Sequence, residues 1–192
     1  LYFLCSALVM LLPLRFLVAV FDGRPAYPLS HQGLPQGNVA FLNRVSPGGR
    51  VLNHPDSGGY LQWMLYPKHT IFMDMEVPFM FTDDDMFEAS HLFVDQHVLS
   101  GILAKYDPDF ITLPHQAEKF STIITRFPDY VLVFLDDAEV LYVNRRLHPG
   151  LAARYELKDL DPFTLFEEDF DSWIEEGNEK LTPLLHQAHR LV

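Results

Sequence analysis

The chain has 192 residues and a formal net charge of −12 at pH 7. This length is enough for one well-buried domain with flanking elements, and the negative charge argues against binding to nucleic acid or to an anionic membrane through bulk charge. The single cysteine, Cys5, excludes an internal disulfide and gives no information on the redox compartment.

Residues 1–21 form the most apolar segment of the chain. About 20 apolar residues can span a bilayer, and a membrane helix tolerates both Pro13 and Arg15. We therefore predict a transmembrane helix, the last one of a larger membrane protein. A signal peptide and a buried helix of a soluble domain are the alternatives. Residues 22–36 are rich in proline and glycine and predict an irregular connector.

The central segment alternates between apolar runs and turn-forming residues. A short helix is predicted over residues 37–45 and a strand over 50–53. Residues 54–59 are dense in turn-forming types and predict a glycine loop, which a short helix over 60–65 follows. The nearly continuous apolar run 70–75 predicts a second strand that is covered on both faces.

The next segment predicts one long helix over residues 83–105, with Thr82 or Asp83 as its cap. Strands and helices then alternate as strand 110–113, helix 117–127, strand 130–135 and strand 139–144. This alternation predicts an α/β domain over 37–146, with a mostly parallel sheet, helices on both faces and a C-terminal antiparallel hairpin.

Residues 147–192 predict a linker, expected at 148–150, and then a helical pair. The first helix of the pair carries an apolar stripe at helical spacing, formed by Phe166, Phe170, Trp173 and Ile174. The pair is either the start of tetratricopeptide-type repeats or a hairpin packed on the α/β domain. A single copy cannot reveal a repeat period, so both interpretations stay open.

Residues that could bind a ligand occur in the predicted glycine loop, in the helix after it, near the end of the second strand and at one later histidine. They are Asp56, Ser57, Gly58, Gly59, Tyr60, Trp63, Asp74 and His115. Free N–H groups at the start of the helix would favour an anion or a sugar hydroxyl, and the aromatic side chains could stack on a sugar. The loop lacks the glycine spacing of dinucleotide-binding loops and P-loops, which favours an ordinary tight turn.

Asp74 lies in an apolar run, where a carboxylate must be paired, hydrogen-bonded or protonated. We predict that it accepts N–H groups of residues 57–60 and so ties the glycine loop to the second strand, which is a structural role. No recognised metal-binding spacing joins the candidate ligands His54, Asp56, Asp74 and His115. We therefore predict no metal, no cofactor and no catalytic residue in this chain.

One motif in the central segment is similar to a recurring bacterial pattern. Its parts are Val51-Leu52-Asn53, Gly58-Gly59-Tyr60-Leu61-x-Trp63, Tyr66-Pro67 and Ile71-Phe72-x-Asp74. The pattern resembles the soluble domain that follows the membrane part of GT-C-like proteins, which are relatives of polyprenyl-phosphate-sugar glycosyltransferases. The resemblance covers residues 39–144. In that family the aspartate is usually followed by Gly-Arg, whereas Met75-Glu76 follow it here.

The resemblance implies a non-catalytic, extracytoplasmic accessory domain whose partner is the remainder of its own membrane protein. It also suggests a glycan or another protein as a partner, while the net charge argues against nucleic acid. The catalytic carboxylate of such transferases belongs to an early membrane loop. Two alternatives stay open. One is a small α/β enzyme that uses Asp74, Asp56 and His115, and the other is a scaffold that leads into protein-binding helical repeats.

Overall fold

The structure is a computed structural model, and it describes residues 33–74, 81–115, 117–136, 138–158 and 160–163. The membrane helix predicted over 1–21 and the helical pair predicted beyond the linker lie outside the described residues. Within these ranges, no helix combines the length and the apolar character needed to cross a membrane.

Five strands form one mixed sheet in the described part of the chain. They are β1 (Gly49–Asn53), β2 (His69–Ile71), β3 (Phe110–Pro114), β4 (Tyr130–Leu135) and β5 (Glu139–Asn144). Their spatial order is β2-β1-β3-β5-β4. β1 is parallel to β2 and β3, while β5 is antiparallel to β3 and β4. The predicted α/β class and the antiparallel hairpin are confirmed, and the antiparallel strand lies inside the sheet.

Six helices flank this sheet among the described residues. They are α1 (Gln36–Val45), α2 (Pro55–Leu65), α3 (Asp83–His91), α4 (Gln96–Tyr106), α5 (Glu118–Ile124) and α6 (Pro149–Tyr155). Residues of α1, α2 and α6 share one core with Val51 and Phe110. Residues of α4 and α5 share the other core with Leu52 and Ile111. Because neighbouring strand residues point to opposite faces, both faces of the sheet are covered.

α2 begins earlier than the sequence predicted. His54 caps the helix, with its Nδ1 accepting the N–H of Asp56 at 3.4 Å. Pro55 occupies the first turn, where a missing N–H leaves no hydrogen bond unmade. The glycine loop predicted over 54–59 is therefore wrong, because this His-Pro-Asp sequence starts a helix and does not form a turn.

β2 is a three-residue edge strand. The strand predicted over 70–75 is therefore confirmed in the sheet but is shorter than predicted, and the prediction that both faces are covered is wrong, since Thr70 is exposed. Two apolar residues of that run pack beyond the strand: half-buried Phe72 lies edge-on against Tyr106 at 5.4 Å, and Met73 is 3% exposed. An apolar run therefore does not distinguish a covered strand from a buried irregular segment.

The single helix predicted over 83–105 is two helices, α3 and α4. α3 ends at His91, and Asp95 caps α4, with Oδ1 accepting the N–H groups of His97 at 2.7 Å and Val98 at 3.3 Å. Aspartate is among the best N-cap residues, so it competes with continued helix at this position. Leu92, between the helices, is fully buried, and the apolar periodicity therefore runs through the break.

The linker predicted at 148–150 is also wrong, because α6 begins there. Pro149 stands at the first helical position, which its fixed φ angle suits. Tyr155, at the end of α6, is buried edge-on against Phe41 of α1 at 5.1 Å. The chain then runs beside the edge strand β4, where the N–H of Leu157 donates to Leu132 O at 2.9 Å.

Asn53, at the end of β1, is fully buried and holds the segment that follows β2. Its Oδ1 accepts the N–H groups of Phe72 at 3.0 Å and Met73 at 3.3 Å. Its Nδ2 donates to Met73 O and to His54 O, each at 2.8 Å. The Asn53 side chain therefore supplies hydrogen bonds to the backbone of residues 72–73. The backbone of β1 would supply such bonds if β2 continued past Ile71.

We expect Asn53→Ala to lower the free energy of unfolding by about 3 kcal/mol, because it leaves buried backbone groups of Met73 without partners. Denaturant unfolding measures the change. Asn43→Ala is the matched control, since Asn43 is exposed and binds Lys68 through its backbone oxygen. The control should change stability by less than about 0.5 kcal/mol. An Asn53→Ala protein as stable as the parent would contradict the role given to Asn53.

Candidate functional site

The sheet has a switch point at β1. α2 leads from β1 to β2 on one side, and α3 and α4 lead back across β1 to β3 on the other. In open α/β sheets, ligands bind in the crevice outside the carboxyl ends of the strands at such a point. Here the carboxyl ends of β1 and β3 are joined by a backbone hydrogen bond, in which the N–H of His54 donates to Thr112 O at 3.2 Å.

Side chains from four elements fill this crevice: Asn38 of α1, Ser57 of α2, Thr112 of β3 and Glu139 of β5. Each of them is at most 6% exposed. Asn38 Nδ2 donates to Thr112 Oγ1 at 2.8 Å, and Thr112 Oγ1 donates to Glu139 Oε2 at 2.5 Å. Glu139 is also hydrogen-bonded to Ser57. These four residues, the buried polar cluster, connect two helices to two strands.

Burial raises the pKa of Glu139 to about 7, because the carboxylate form loses its solvation in the core. Hydrogen bonds that Thr112 and Ser57 can donate to the ionised carboxylate oppose the rise, while the negative charges of Asp136 and Asp56 add to it. Glu139 is therefore largely protonated in mildly acidic solution, although an exposed glutamate would be ionised there.

The protonated form of Glu139 fits the hydrogen-bond directions of the cluster. Ser57 Oγ donates its only hydrogen to His54 O at 3.1 Å, so towards Glu139 it is an acceptor. The carboxylic acid O–H can donate to that oxygen, while its other oxygen accepts from Thr112. The chain of donors is then continuous from Asn38 to His54. Ionised Glu139 would require Ser57 to give up the bond to His54 O.

Asp136 fixes α1 over the cluster. Its Oδ2 accepts the N–H groups of Gly37 at 2.8 Å and Asn38 at 3.2 Å, at the start of α1. Its Oδ1 accepts those of Ala138 at 2.9 Å and Glu139 at 2.8 Å, in the turn between β4 and β5. A carboxylate at a helix N-terminus is also favoured by the helix dipole. These four bonds together attach the start of α1 to the turn between β4 and β5.

The predicted ligand residues of α2 do not converge on one site. Asp56 is 82% exposed at its side chain and lies 3.7 Å from His54 Nδ1. Ser57 belongs to the buried polar cluster. Gly59 and Tyr60 are half-buried, and Trp63, two turns into the helix, is 72% exposed.

Gly58 of α2 is in close contact with the segment that follows β2. A Cβ at this position would lie 2.7 Å from Asp74 Cα and closer still to Met73 O. Gly58 therefore packs against the backbone of residues 73–74. The predicted acceptance of N–H groups by the Asp74 carboxylate stays a prediction. His115, at the end of β3, has its Nδ1 3.2 Å from Ala138 O.

The sequence analysis missed Asn38, Thr112 and Glu139. Glu139 is the first residue of its strand, a position where a charged side chain normally reaches solvent, and Thr112 is a common strand residue. The signal that was available is the acidic side chain directly before the apolar run 140–143. Among the described residues, no group of three or more His, Cys, Asp and Glu side chains is arranged to hold a metal ion.

Comparisons with family models, with curated proteins and with solved structures find no match for this chain. Its function must therefore be inferred from its own residues.

The opposite end of the sheet also contains a buried titratable group. His69 of β2 is 1% exposed and lies edge-on to Phe110, with ring centroids 5.8 Å apart. Burial lowers the pKa of His69 to about 4, and the positive charge of Lys68 adds to the shift. Nearby, His148 Nε2 is 2.8 Å from Asp109 Oδ1. His69 is therefore neutral over the range in which Glu139 titrates.

We expect Gly58→Ala to lower the free energy of unfolding by about 3 kcal/mol, because the new methyl group meets backbone atoms that cannot turn away. Gly101→Ala is the matched control, since Gly101 is also inside a helix but a Cβ there meets nothing within 4 Å. Gly101→Ala should raise stability by up to about 1 kcal/mol. Equal melting temperatures for the Gly58→Ala variant and the parent would show that the contact with residues 73–74 is easily relieved.

Glu139 and His69 are expected to affect stability with opposite pH dependence. The folded-state pKa of Glu139 is above its ordinary value of 4.5, so its contribution decreases as pH rises from 4.5 to about 7. The folded-state pKa of His69 is below its ordinary value of 6.5, so its contribution decreases as pH falls from 6.5 to about 4. Each slope is at most about 1.4 kcal/mol per pH unit, and the two oppose each other between 4.5 and 6.5.

Glu139→Gln tests this directly, because an amide keeps the bonds of the protonated acid and does not titrate. Relative to the parent, we expect its free energy of unfolding to gain about 3 kcal/mol as pH rises from 4.5 to 7. Relative to the parent, the free energy of unfolding of His69→Gln should gain as pH falls from 6.5 to 4. Denaturant unfolding at a series of pH values measures both. Parallel pH profiles for the parent and Glu139→Gln would rule out the buried acid.

Proposed function

We propose that this domain is a non-catalytic, extracytoplasmic accessory module of a membrane protein that resembles GT-C glycosyltransferases. It docks a partner or braces the membrane part. The observation that carries the proposal is the filled crevice at the switch point. The position where an α/β fold usually binds its ligand is occupied by the buried polar cluster, whose members bond to one another and to the backbone.

The motif residues that carry the resemblance support a structural interpretation. Asn53 binds the backbone of Phe72 and Met73, and Gly58 allows the same segment to approach α2. Both residues therefore position the chain. Neither presents a group to a reactant, as a catalytic motif would.

An enzyme that uses Asp74, Asp56 and His115 would need at least two of these groups to face a common space. Asp56 points to solvent beside His54. Two surface grooves of the described residues lie elsewhere, one between α5 and the β4 edge and one between the end of α1 and α6. None of the three residues lines either groove. The scaffold alternative depends on the segment beyond residue 163, which lies outside the described residues.

The topology can be tested with reporters fused after Val192. We expect alkaline phosphatase, which is active outside the cytoplasm, to be active there, and a fluorescent protein that matures in the cytoplasm to remain dark. The reason is that residues 1–21 are long and apolar enough to span a bilayer. The acidic remainder lacks the excess of Lys and Arg that keeps a segment on the cytoplasmic side. The matched control lacks residues 1–21 and should show the reverse pattern. A full chain with a fluorescent cytoplasmic reporter and inactive phosphatase would overturn the proposal.

A further inference from the structure

Three large side chains are exposed where α2 ends. Leu61 and Leu65 of this helix are fully buried, whereas Trp63 is 72%, Tyr66 68% and Met64 41% exposed. Tryptophan and tyrosine combine an apolar ring with one polar group, so they are most stable at a boundary between an apolar phase and water. The end of α2 therefore presents side chains suited to such a boundary.

Three exposed cations lie on the chain after α2 and on the two helices α1 and α6. Lys68 is exposed, and its Nζ donates to Asn43 O at 3.0 Å, so it lies against the end of α1. Arg44, which follows Asn43 in α1, is exposed and lines a groove together with Arg154 of α6. The end of α1, the chain after α2 and the surface of α6 thus contribute one positive charge each.

The segments that form this surface contain no acidic residue. Residues 33–55, 57–73 and 145–155 contain no Asp or Glu, in a chain with 26 of them. Arg44, Lys68 and Arg154 therefore lie in stretches of the chain without acidic residues, although Asp56 and Glu156 flank these stretches. Bulk charge alone would exclude attraction to an anionic membrane, but electrostatic attraction acts over about a Debye length, roughly 10 Å, and depends on the local charges.

We propose that Trp63, Met64, Tyr66, Lys68, Arg44 and Arg154, the basic aromatic surface, contact the headgroup region of an anionic phospholipid bilayer. The inference rests on the proposed membrane-associated function and names the surface by which the domain meets the membrane. Cations bind lipid phosphates, and tryptophan and tyrosine rings enter the interface beside them. Protein interfaces also bury tryptophan and tyrosine, so an acidic protein is the alternative occupant, and quenching in protein-free vesicles distinguishes the two.

The contact can be measured through Trp63, because the chain has only two tryptophans and Trp173→Phe leaves Trp63 alone. The full chain carrying Trp173→Phe is reconstituted in vesicles of brominated lipid. One set contains phosphatidylcholine only, and the other an equimolar mixture with phosphatidylglycerol. We expect bromine to quench Trp63 fluorescence more strongly in the anionic vesicles. Lys68→Gln should lower the ratio of quenched to unquenched Trp63 about fivefold, the effect of one cation near an anionic surface.

Lys119→Gln is the matched control, since Lys119 is exposed near the start of α5, beyond the carboxyl end of β3. It should leave the quenching unchanged, and each variant is accepted only if its circular dichroism melt matches the parent. Unquenched Trp63 in the anionic vesicles would overturn the proposal. Quenching that is equal in both lipids and insensitive to Lys68→Gln would also overturn it. The reporter topology could still hold in either case, so failure of this surface is distinct from failure of the proposed function.

Discussion

The hydrogen bonds around Glu139 are the constraint on which the rest of this domain depends. Through Thr112, Asn38 and Ser57 they join two strands and two helices at the carboxyl end of the sheet. A buried polar group that loses its partner costs about 1–3 kcal/mol, so the four side chains must be placed together. Asp136 adds the start of α1 to the same end. The position of α1 over the sheet thus follows from polar contacts as well as from its apolar side chains.

The two ends of the sheet have different chemistry. At the carboxyl end the polar groups of the cluster are buried and, except for Asn38 Oδ1, bonded to one another or to the backbone. At the amino end, ion pairs such as Arg50–Asp107 at 3.5 Å and Arg146–Asp129 at 3.4 Å lie near the surface. Pairs of this kind contribute about 0–1 kcal/mol each, because water and salt screen them. These exposed pairs therefore contribute little to stability compared with the two cores and with the buried polar groups at both ends of the sheet, which at the amino end include Asn144 and Tyr130.

Much of this fold could be predicted from the sequence because strands and helices differ in apolar period. The strands around Val51, Ile111 and Val131 were predicted near their observed positions, and so was the hairpin to Leu141. The break at Asp95 was missed because the buried residues continue the apolar period through it. The order of the strands, with β5 between β3 and β4, depends on tertiary packing that no local pattern encodes.

The candidate site was less predictable than the fold, for a physical reason. Most of the predicted ligand residues lie in or beside a predicted loop, where functional groups often occur. Asn38, Thr112 and Glu139 are instead inside regular elements that are far apart in sequence, and only the folded sheet brings them together. The loop itself became the first turn of α2, because His54 and Pro55 stabilise a helix start.

The edges of the sheet also bear on how the protein behaves at high concentration. An exposed strand edge offers free N–H and C=O groups to other chains and so promotes aggregation. One edge here, β2, is only three residues long. The other, β4, is interrupted by a bulge between Leu132 and Phe134 and is partly occupied by Leu157. Neither edge offers a long, regular row of free groups, so the folded domain is protected against growing its sheet by adding strands from neighbouring molecules.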